Sequence, residues 1–260
     1  MWRLVKTECY KLIKSESYRR LLVVCILITI ASLSQDRGTK MGFFLTGYEW
    51  FCVRQLMMGW VIIPLSFFVA EHMAAEFSNH GFVLALICGY TRKEIFRAKA
   101  ILCVAGVLGL AWTNTAVGLA VTIFLNGFGA KFNVGTAVLM IKSVVYYDLI
   151  CIVFVGAVSI LAAMITKNRI GAFGAGFCVC KILGILTANI PYIIEQMKDS
   201  LWKRFIDCLF QLTPLYQIDS LLSPQEYQSH PFWLFLLSCS VCIVMTYLLS
   251  LRIFQRIDIK

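Results

Sequence analysis

Residues 98–125 read AKAILCVAGVLGLAWTNTAVGLAVTIFL, with Lys99 as the single charged residue among 28 positions. A helix needs about 20 predominantly apolar residues to cross the hydrocarbon core of a bilayer. This stretch is long enough and apolar enough to cross, so it predicts a transmembrane helix. Similar apolar segments recur along the chain, so the sequence predicts a polytopic membrane protein of the all-α class.

Five further apolar segments flank this stretch. They cover residues 21–34, 55–75, 143–166, 170–190 and 232–251. The first is short for a span, and the arginines before it would snorkel to the membrane surface. The second contains Pro64, which predicts a kinked helix. The chain is therefore predicted to form a single transmembrane domain over residues 1–260 with six spans.

The composition supports a membrane protein and disfavours a nucleic-acid-binding one. The chain is 60% hydrophobic and only 15% charged, whereas soluble domains carry about a quarter charged residues. Its net charge of +10 would suit nucleic acid if the basic residues formed a folded face with aromatic residues between them. They lie instead in short gaps between apolar segments, which is typical of loops at a membrane surface.

The distribution of Lys and Arg predicts the orientation in the membrane. With the N-terminus inside, 15 of the 24 Lys and Arg residues fall in the segments 1–20, 92–99, 167–169 and 252–260, and seven fall in the outer segments. Basic residues accumulate in the cytoplasmic loops of membrane proteins. Both termini are therefore predicted to lie in the cytoplasm, with the chain in the cell membrane.

Two segments outside the spans have amphipathic patterns. In residues 1–18, apolar residues such as Trp2, Val5 and Leu12 recur at helical spacing opposite a basic face, which predicts a helix lying on the cytoplasmic leaflet. In residues 201–210, apolar residues again repeat at helical spacing. This second pattern predicts an extracytoplasmic amphipathic helix before the last span.

The motifs of common enzymes are missing from the sequence. It has no phosphate-binding loop of the G-x-x-x-x-G-K-[ST] type and no H-E-x-x-H zinc motif. His72 and Glu76 are four residues apart, but two ligands are weak evidence for a metal site. The eleven cysteines lie mostly in apolar segments, and a disulfide between Cys52 and Cys208 is left open. We expect a non-catalytic chain without a metal.

The segment between the second and third spans is too apolar for a solvated loop. Its apolar residues run from Phe77 to Ile87, and Gly89 is suited to end a helix with positive φ. Thr91 and Glu94 have the spacing of a capping box, which begins a new helix. The pattern predicts a short cytoplasmic helix over residues 79–88 whose apolar face needs a partner to cover it.

This order of elements resembles the permease subunits of ABC-2 type ATP-binding-cassette exporters. In that family an interfacial helix precedes the first span, and the second span is followed by an acidic residue, a phenylalanine, a glycine and an apolar run. The matching residues are Glu76, Phe77, Gly81, Leu84, Leu86, Gly89, Thr91, Arg92 and Lys99. The tail residues Phe254, Arg256 and Asp258 resemble the short tail of the family.

The resemblance implies a transport subunit. Two permease chains, identical or different, would pair, and each would dock on a separate ATPase subunit that binds ATP and Mg²⁺, so no cofactor is expected in this chain. The resemblance gives an ATPase-coupling role to Glu76, Phe77, Gly81, Leu84, Leu86, Gly89, Thr91 and Arg92. We further expect Glu76 and Arg92 to pair with charges on the ATPase rim.

The substrate is inferred from the closest-looking subfamily. The compact form of the chain looks most like permeases of peptide-antibiotic immunity and toxic-peptide export, which implies an amphipathic peptide substrate. Two alternatives stay open: a lipid or small-drug exporter, and a membrane anchor or sensor that only recruits a cytosolic protein.

Polar residues within the spans are candidates for a substrate path, namely Lys181, Asn114 and Asp148. A cation at the bilayer centre costs about 2.5–3.5 kcal/mol on insertion scales. Lys181 would therefore face an interior or a local partner. For Asn114, hydrogen bonding between helices is the favoured role. Small residues from Gly171 to Gly176 predict a close helix contact, within the chain or across a dimer.

Overall fold

The computed structural model describes residues 2–35, 46–53, 58–129, 134–144, 152–196 and 232–257. These residues are almost entirely helical and include no strand, which confirms the all-α prediction for this part of the chain. The helices are α1 (Trp2–Lys14), α2 (Glu16–Gln35), α3 (Gly47–Val53), α4 (Met58–Val69), α5 (Ala75–Ser78), α6 (Gly81–Ile87), α7 (Arg92–Asn126), α8 (Val134–Ser143), α9 (Val153–Thr166), α10 (Arg169–Gln196) and α11 (Phe232–Arg256).

Three helical stretches in the described part of the chain are long and apolar enough to cross a membrane. They are Val61–Ser78, Arg92–Asn126 and Cys239–Arg256. These stretches correspond to the predicted second, third and sixth spans. Helix α9 is also apolar but has only 14 described residues. A membrane protein is therefore supported, while the number of six spans stays a prediction.

The second predicted span is one helical rod with a local change of winding. Pro64 lies inside α4, and a π-helical turn, Ala70–Ala74, joins α4 to α5. A π-turn inserts extra backbone into the α-helical register and often occurs at functional sites. The π-turn rotates α5 about the helix axis relative to α4. It therefore determines the direction in which Glu76 and the following residues face.

Helix α7 is the central element of the bundle, and α9 forms a second centre. Helix α7 packs against α1, α2, α3, α4, α6, α9 and α11, while α9 packs most extensively on α10 and α11 and also contacts α4. The core between them is filled by fully buried residues such as Leu65, Val107 and Leu110. A movement of α7 would therefore displace most of the helices that pack against it.

The small residues of α10 pack within the chain. A Cβ atom added at Gly176 would lie 3.2 Å from the Oγ atom of Ser159 on α9. The glycine thus allows the backbones of α9 and α10 to approach closely. The alternative left open by the sequence, a contact across a dimer, is not needed to explain Gly176.

Gly118 provides a second close approach, between α7 and α3. A Cβ atom at this position would overlap the indole ring of Trp50, which is fully buried. We expect Gly118→Val to destabilise the protein by about 1–3 kcal/mol, because the large ring has no free space to move into. The measurement is the midpoint of thermal unfolding in detergent.

The control for this prediction is Gly174→Val, since an added Cβ atom at helical Gly174 meets no other atom within 4 Å. Both variants carry the same cost of a β-branched residue in a helix. Equal unfolding midpoints for the two variants would contradict the close packing of α3 on α7.

The four basic segments of the sequence meet at one end of the bundle, which we call the basic end. The guanidinium of Arg169 pairs with Glu71 at 3.2 Å, and Arg92 bonds the last turn of α11. At the opposite end, the amide of Gly47 donates to the carbonyl of Gly127 at 3.0 Å. The grouping agrees with the predicted loops, and the cytoplasmic location of the basic end stays a prediction.

Candidate functional site

Helix α6 at the basic end is short and has sharply defined ends. It spans Gly81–Ile87, two residues shorter at its start and one at its end than predicted. His80 precedes it in the left-handed conformation with φ of 53°, and Gly89 follows with φ of 85°. The amides of Gly89 and Tyr90 donate to the carbonyls of Leu86 and Ala85. This is a Schellman motif, which confirms the predicted helix stop.

The capping box at the start of α7 is also confirmed. The Thr91 hydroxyl accepts from the Glu94 amide at 3.3 Å, and the Thr91 amide donates to the Glu94 carboxylate at 3.0 Å. The hydrogen bonds from the amide and hydroxyl of Thr91 hold the pKa of Glu94 below its usual value. The turn between α6 and α7 is therefore fixed by local bonds at both helix ends.

The inner face of α6 is held by an aromatic cluster. The Phe82 side chain is only 1% exposed. Its ring lies 4.8 Å from the ring of Phe77 and 5.0 Å from that of Phe254, and Phe254 in turn packs on Phe96. Edge-to-face aromatic pairs at such distances add about 0.5–1.5 kcal/mol each to the burial of their area. Helix α6 is thus fixed to α5, α7 and α11.

The outer face of α6 is apolar and is not covered by the part of the chain that the structure describes. Leu84 is 62% exposed and Ile87 is 75% exposed, while Leu86 is partly buried against the core. The apolar residues predicted to form one patch are therefore divided between two faces. The expectation that the whole patch lacks a partner in the chain is wrong for Phe82, but Leu84 and Ile87 remain available to another protein.

Beneath α6 lies a buried ion cluster, which we call the Lys99 cluster and which consists of Lys99, Glu8 and Glu76. The Lys99 Nζ atom lies 2.5 Å from Glu8 Oε2 and 2.6 Å from Glu76 Oε1. The side chains of Lys99 and Glu8 are 5% and 4% exposed, and that of Glu76 is 20% exposed. The cluster joins α1, α5 and α7.

The neighbouring ammonium groups favour the charged form of Glu8. Burial alone would raise the pKa of the Glu8 carboxyl, but Lys99 and Lys11 together outweigh burial and lower it. Burial also works against the charge of Lys11, whose ammonium bonds Glu8 at 2.9 Å, yet Glu8 raises the pKa of Lys11 overall. Since Lys99 is shielded from water, removing it would leave Glu76 without its ion pair and Glu8 with Lys11 as its remaining basic partner.

Two of the predicted coupling residues have partners inside the chain. Glu76 pairs with Lys99, and its carboxylate fills the space where a Cβ atom at position 81 would lie, which explains Gly81. Arg92 Nη1 donates to the carbonyls of Gln255 at 2.9 Å and Ile257 at 2.7 Å, which end α11. The expectation that Glu76 and Arg92 face charges on another protein is therefore corrected: Glu76 joins α5 to α7, and Arg92 joins α7 to the end of α11.

The predicted substrate-path residues do not converge among the described residues. Asn114 is buried on α7, where its Oδ1 atom accepts from the Thr29 hydroxyl of α2. Lys181 is partly buried on α10, and its ammonium lies 5.8 Å from the ring centre of Phe177 one turn earlier. Its contact is local, which favours the pairing alternative over a lined cavity.

Three of the expectations fall outside the described residues, namely Asp148, the helix predicted over 201–210 and the Cys208 partner of a disulfide. Within the described ranges, no group of three or more His, Cys, Asp or Glu side chains is placed to hold a metal ion.

Glu8 is the functional candidate that the sequence reasoning missed. It lies on the buried face of α1 between Val5 and Leu12, at helical spacing from both. A carboxylate on the apolar face of an amphipathic helix needs a buried partner, and this was the signal available in the sequence. The partner, Lys99, is 91 residues away, so its identity required the structure.

A cleft of about 330 Å³ opens between α1, α6 and α7, lined by the Lys99 cluster and by apolar residues that include Leu84 and Tyr90. The site as a whole thus combines an exposed apolar helix face, a cleft with polar and apolar walls beside it and a buried ion cluster beneath it.

In comparisons with known proteins, no family model and no curated protein matches this chain.

Proposed function

We propose that the chain is the membrane-embedded permease subunit of an ATP-driven exporter and that α6 docks on a separate ATPase subunit. The observation that carries the proposal is the exposure of Leu84 and Ile87 on a helix whose other face is fixed by Phe82. An exposed apolar patch marks a site of interaction. The chain itself is non-catalytic, and the ATPase binds ATP and Mg²⁺.

The connections of α6 suit the transmission of movement. The aromatic cluster joins it to α11 through Phe254, and the Lys99 cluster joins the adjoining helices to α1. Packed elements move as units because cores resist gradual deformation. A push on α6 by a partner would therefore displace α5, α7 and α11 together, and with them the predicted second, third and sixth spans.

We propose an amphipathic antimicrobial or toxic peptide as the substrate, a second permease chain in the complex and the cell membrane as the location. Export of a lipid or small drug remains the alternative within transport. An anchor that only recruits a cytosolic protein would need the exposed face of α6, but it would not need α6 to be fixed to three spans. The fixed attachment favours transport.

The experiment that tests the function uses the ATPase encoded by a neighbouring reading frame. The two chains are purified together, reconstituted in vesicles and given a cationic amphipathic peptide. We expect the peptide to stimulate ATP hydrolysis, because substrate binding in the permease must reach the ATPase. An ATPase that binds the chain but shows the same hydrolysis with and without peptides, lipids and drugs would support the anchor instead.

The proposed orientation gives a separate prediction. In a cysteine-depleted background, cysteines placed at positions 133 and 225 should react with an impermeant maleimide from outside the cell, and one at position 168 should react only after permeabilisation. Position 168 adjoins Arg169 at the basic end, which the basic bias places in the cytoplasm. Labelling of position 168 in intact cells would show that the orientation is the opposite of the one proposed.

A further inference from the structure

A groove on the side of the bundle is separate from the α6 site. It has a volume of about 420 Å³ and lies where α7, α9 and α11 meet. Its wall is almost wholly apolar and includes Ile101, Val104, Ile160 and Ile243, and Arg97 is the charged residue among its described lining residues.

The groove runs along the bundle and is polar at one end. Arg97 lies on the first turns of α7, at the basic end, while Val104 lies two turns further along the same helix, about 10 Å deeper at 1.5 Å per residue. Ser250 and Tyr247 line the shallow part from α11, and Ile243 lines the deep part. This arrangement is complementary to a phospholipid: the cation at the surface would meet the headgroup, and the apolar groove below it would hold an acyl chain.

Among the residues that the structure describes, none compensates the charge of Arg97. Its side chain is exposed, and it forms no ion pair or hydrogen bond with the described residues, whereas nearby Arg92 is occupied by the carbonyls of α11. No carboxylate lies among the described residues that line the groove. A basic pocket between membrane helices on the cytoplasmic side is suited to bind an anionic lipid headgroup.

We propose that this groove binds one anionic phospholipid, with its phosphate on Arg97 and one acyl chain packed against α7, α9 and α11. The lipid stabilises the junction of these helices beside the aromatic cluster, since Tyr247 of the groove packs on Phe96 of that cluster at 5.4 Å. The proposal requires the chain to lie in a membrane, and it is independent of the proposed exporter function.

A second copy of the chain fits the groove less well. The carboxylates among the described residues of the basic end are engaged within the chain. Lys99 pairs with Glu8 and Glu76, and Arg169 pairs with Glu71. Arg20 pairs with Glu16, and the carboxylate of Glu94 accepts hydrogen bonds in the capping box. Each of them already has a partner in its own chain. A lipid phosphate supplies a negative charge for Arg97 without breaking any of these contacts.

The test is native mass spectrometry of the detergent-purified chain titrated with phosphatidylglycerol or phosphatidylcholine of the same acyl composition. We expect one saturable adduct that forms more tightly with phosphatidylglycerol. Arg97→Gln should weaken phosphatidylglycerol binding about fivefold, the factor expected for one basic residue at an anionic lipid, and leave phosphatidylcholine binding unchanged. Arg97→Lys should retain the preference.

Two further variants complete the design. Ile101→Trp should abolish the saturable adduct by filling the groove, and it should fold because Ile101 is exposed to the groove. Arg3→Gln removes an exposed charge from the same end without touching the groove, and it should leave binding unchanged. Equal adducts with both lipids, equal weakening by Arg97→Gln and Arg3→Gln, or dimers that block the groove without any lipid adduct would each overturn the proposal.

Discussion

Leu84→Asp is expected to release the ATPase from the complex while the permease still inserts in the membrane. Leu84 is 62% exposed, whereas Phe82 supplies the aromatic packing of α6, so the substitution leaves the aromatic cluster in place. In the docked complex the new carboxylate would lie in an apolar groove of the partner, where an unpaired charge costs several kcal/mol. A loss of about 3 kcal/mol corresponds to roughly a hundredfold weaker binding.

The measurement is the amount of ATPase retained on the affinity-purified permease, together with peptide-stimulated hydrolysis in vesicles. Leu84→Met is the matched control, since volume and polarity hardly change, and it should keep both at the level of the wild type. The thermal unfolding midpoint of the permease alone should be the same in all three proteins. Full retention of ATPase and stimulation by Leu84→Asp would exclude α6 as the coupling element.

Lys99→Met is expected to give the largest loss of stability of any substitution considered for this chain. Removing the ammonium leaves Glu76 without its ion-pair partner and leaves Glu8 with the exposed Lys11 alone, and breaking a buried ion pair in this way costs about 3–5 kcal/mol. We expect a strongly lowered unfolding midpoint and faster proteolysis between α1 and α2, because α1 loses its main polar attachment to α7.

Two controls separate the buried charge from a general effect of charge. Lys93→Met, on the exposed side of the same helix, should leave the unfolding midpoint nearly unchanged. The triple variant with Lys99→Met, Glu8→Gln and Glu76→Gln should recover much of the lost stability, since it removes the uncompensated carboxylates as well. Failure of the triple variant to recover any stability would mean that Lys99 acts through packing alone.

The pH dependence of the Lys99 cluster follows from the direction of the Glu8 shift. The folded state lowers the pKa of Glu8 from its ordinary value of 4.5, because the Lys99 and Lys11 ammonium groups outweigh burial. The stabilisation is therefore complete above that value and is lost as pH falls through the lower, folded pKa. In Lys99→Met the neighbouring carboxylates favour the protonated form instead, so acidification from pH 8 to 5 should stabilise this variant relative to the wild type.

Local sequence patterns predicted several features of the site correctly. The capping box of Thr91 and Glu94 and the helix stop at Gly89 depend on backbone groups within a few residues, and the structure places both as expected. The apolar stretches predicted at residues 55–75, 98–125 and 232–251 overlap the helical stretches Val61–Ser78, Arg92–Asn126 and Cys239–Arg256 for the same reason. Hydrophobicity and capping are properties of neighbouring residues, so they can be recognised in one sequence.

Long-range pairing was outside the reach of the sequence. Glu8 and Lys99 are 91 residues apart, and Arg92 reaches carbonyls more than 160 residues away. The chain has many basic residues that could have paired with Glu8 or Glu76. Lys99 is the partner of both because α1 and α5 pack on α7 beside it. The same packing turned Glu76 and Arg92 from expected surface charges into internal ones.

The sequence by itself determined that the chain is helical, apolar enough for a membrane and basic in four segments, because these properties are sums over local residues. The tertiary structure alone decided which face of α6 is free. The amphipathic pattern shows that Phe82 and Leu84 are both apolar, but only the arrival of Phe254 from the end of the chain buries one and leaves the other exposed. Burial is a property of the assembled bundle, since it depends on surfaces that distant segments bring together.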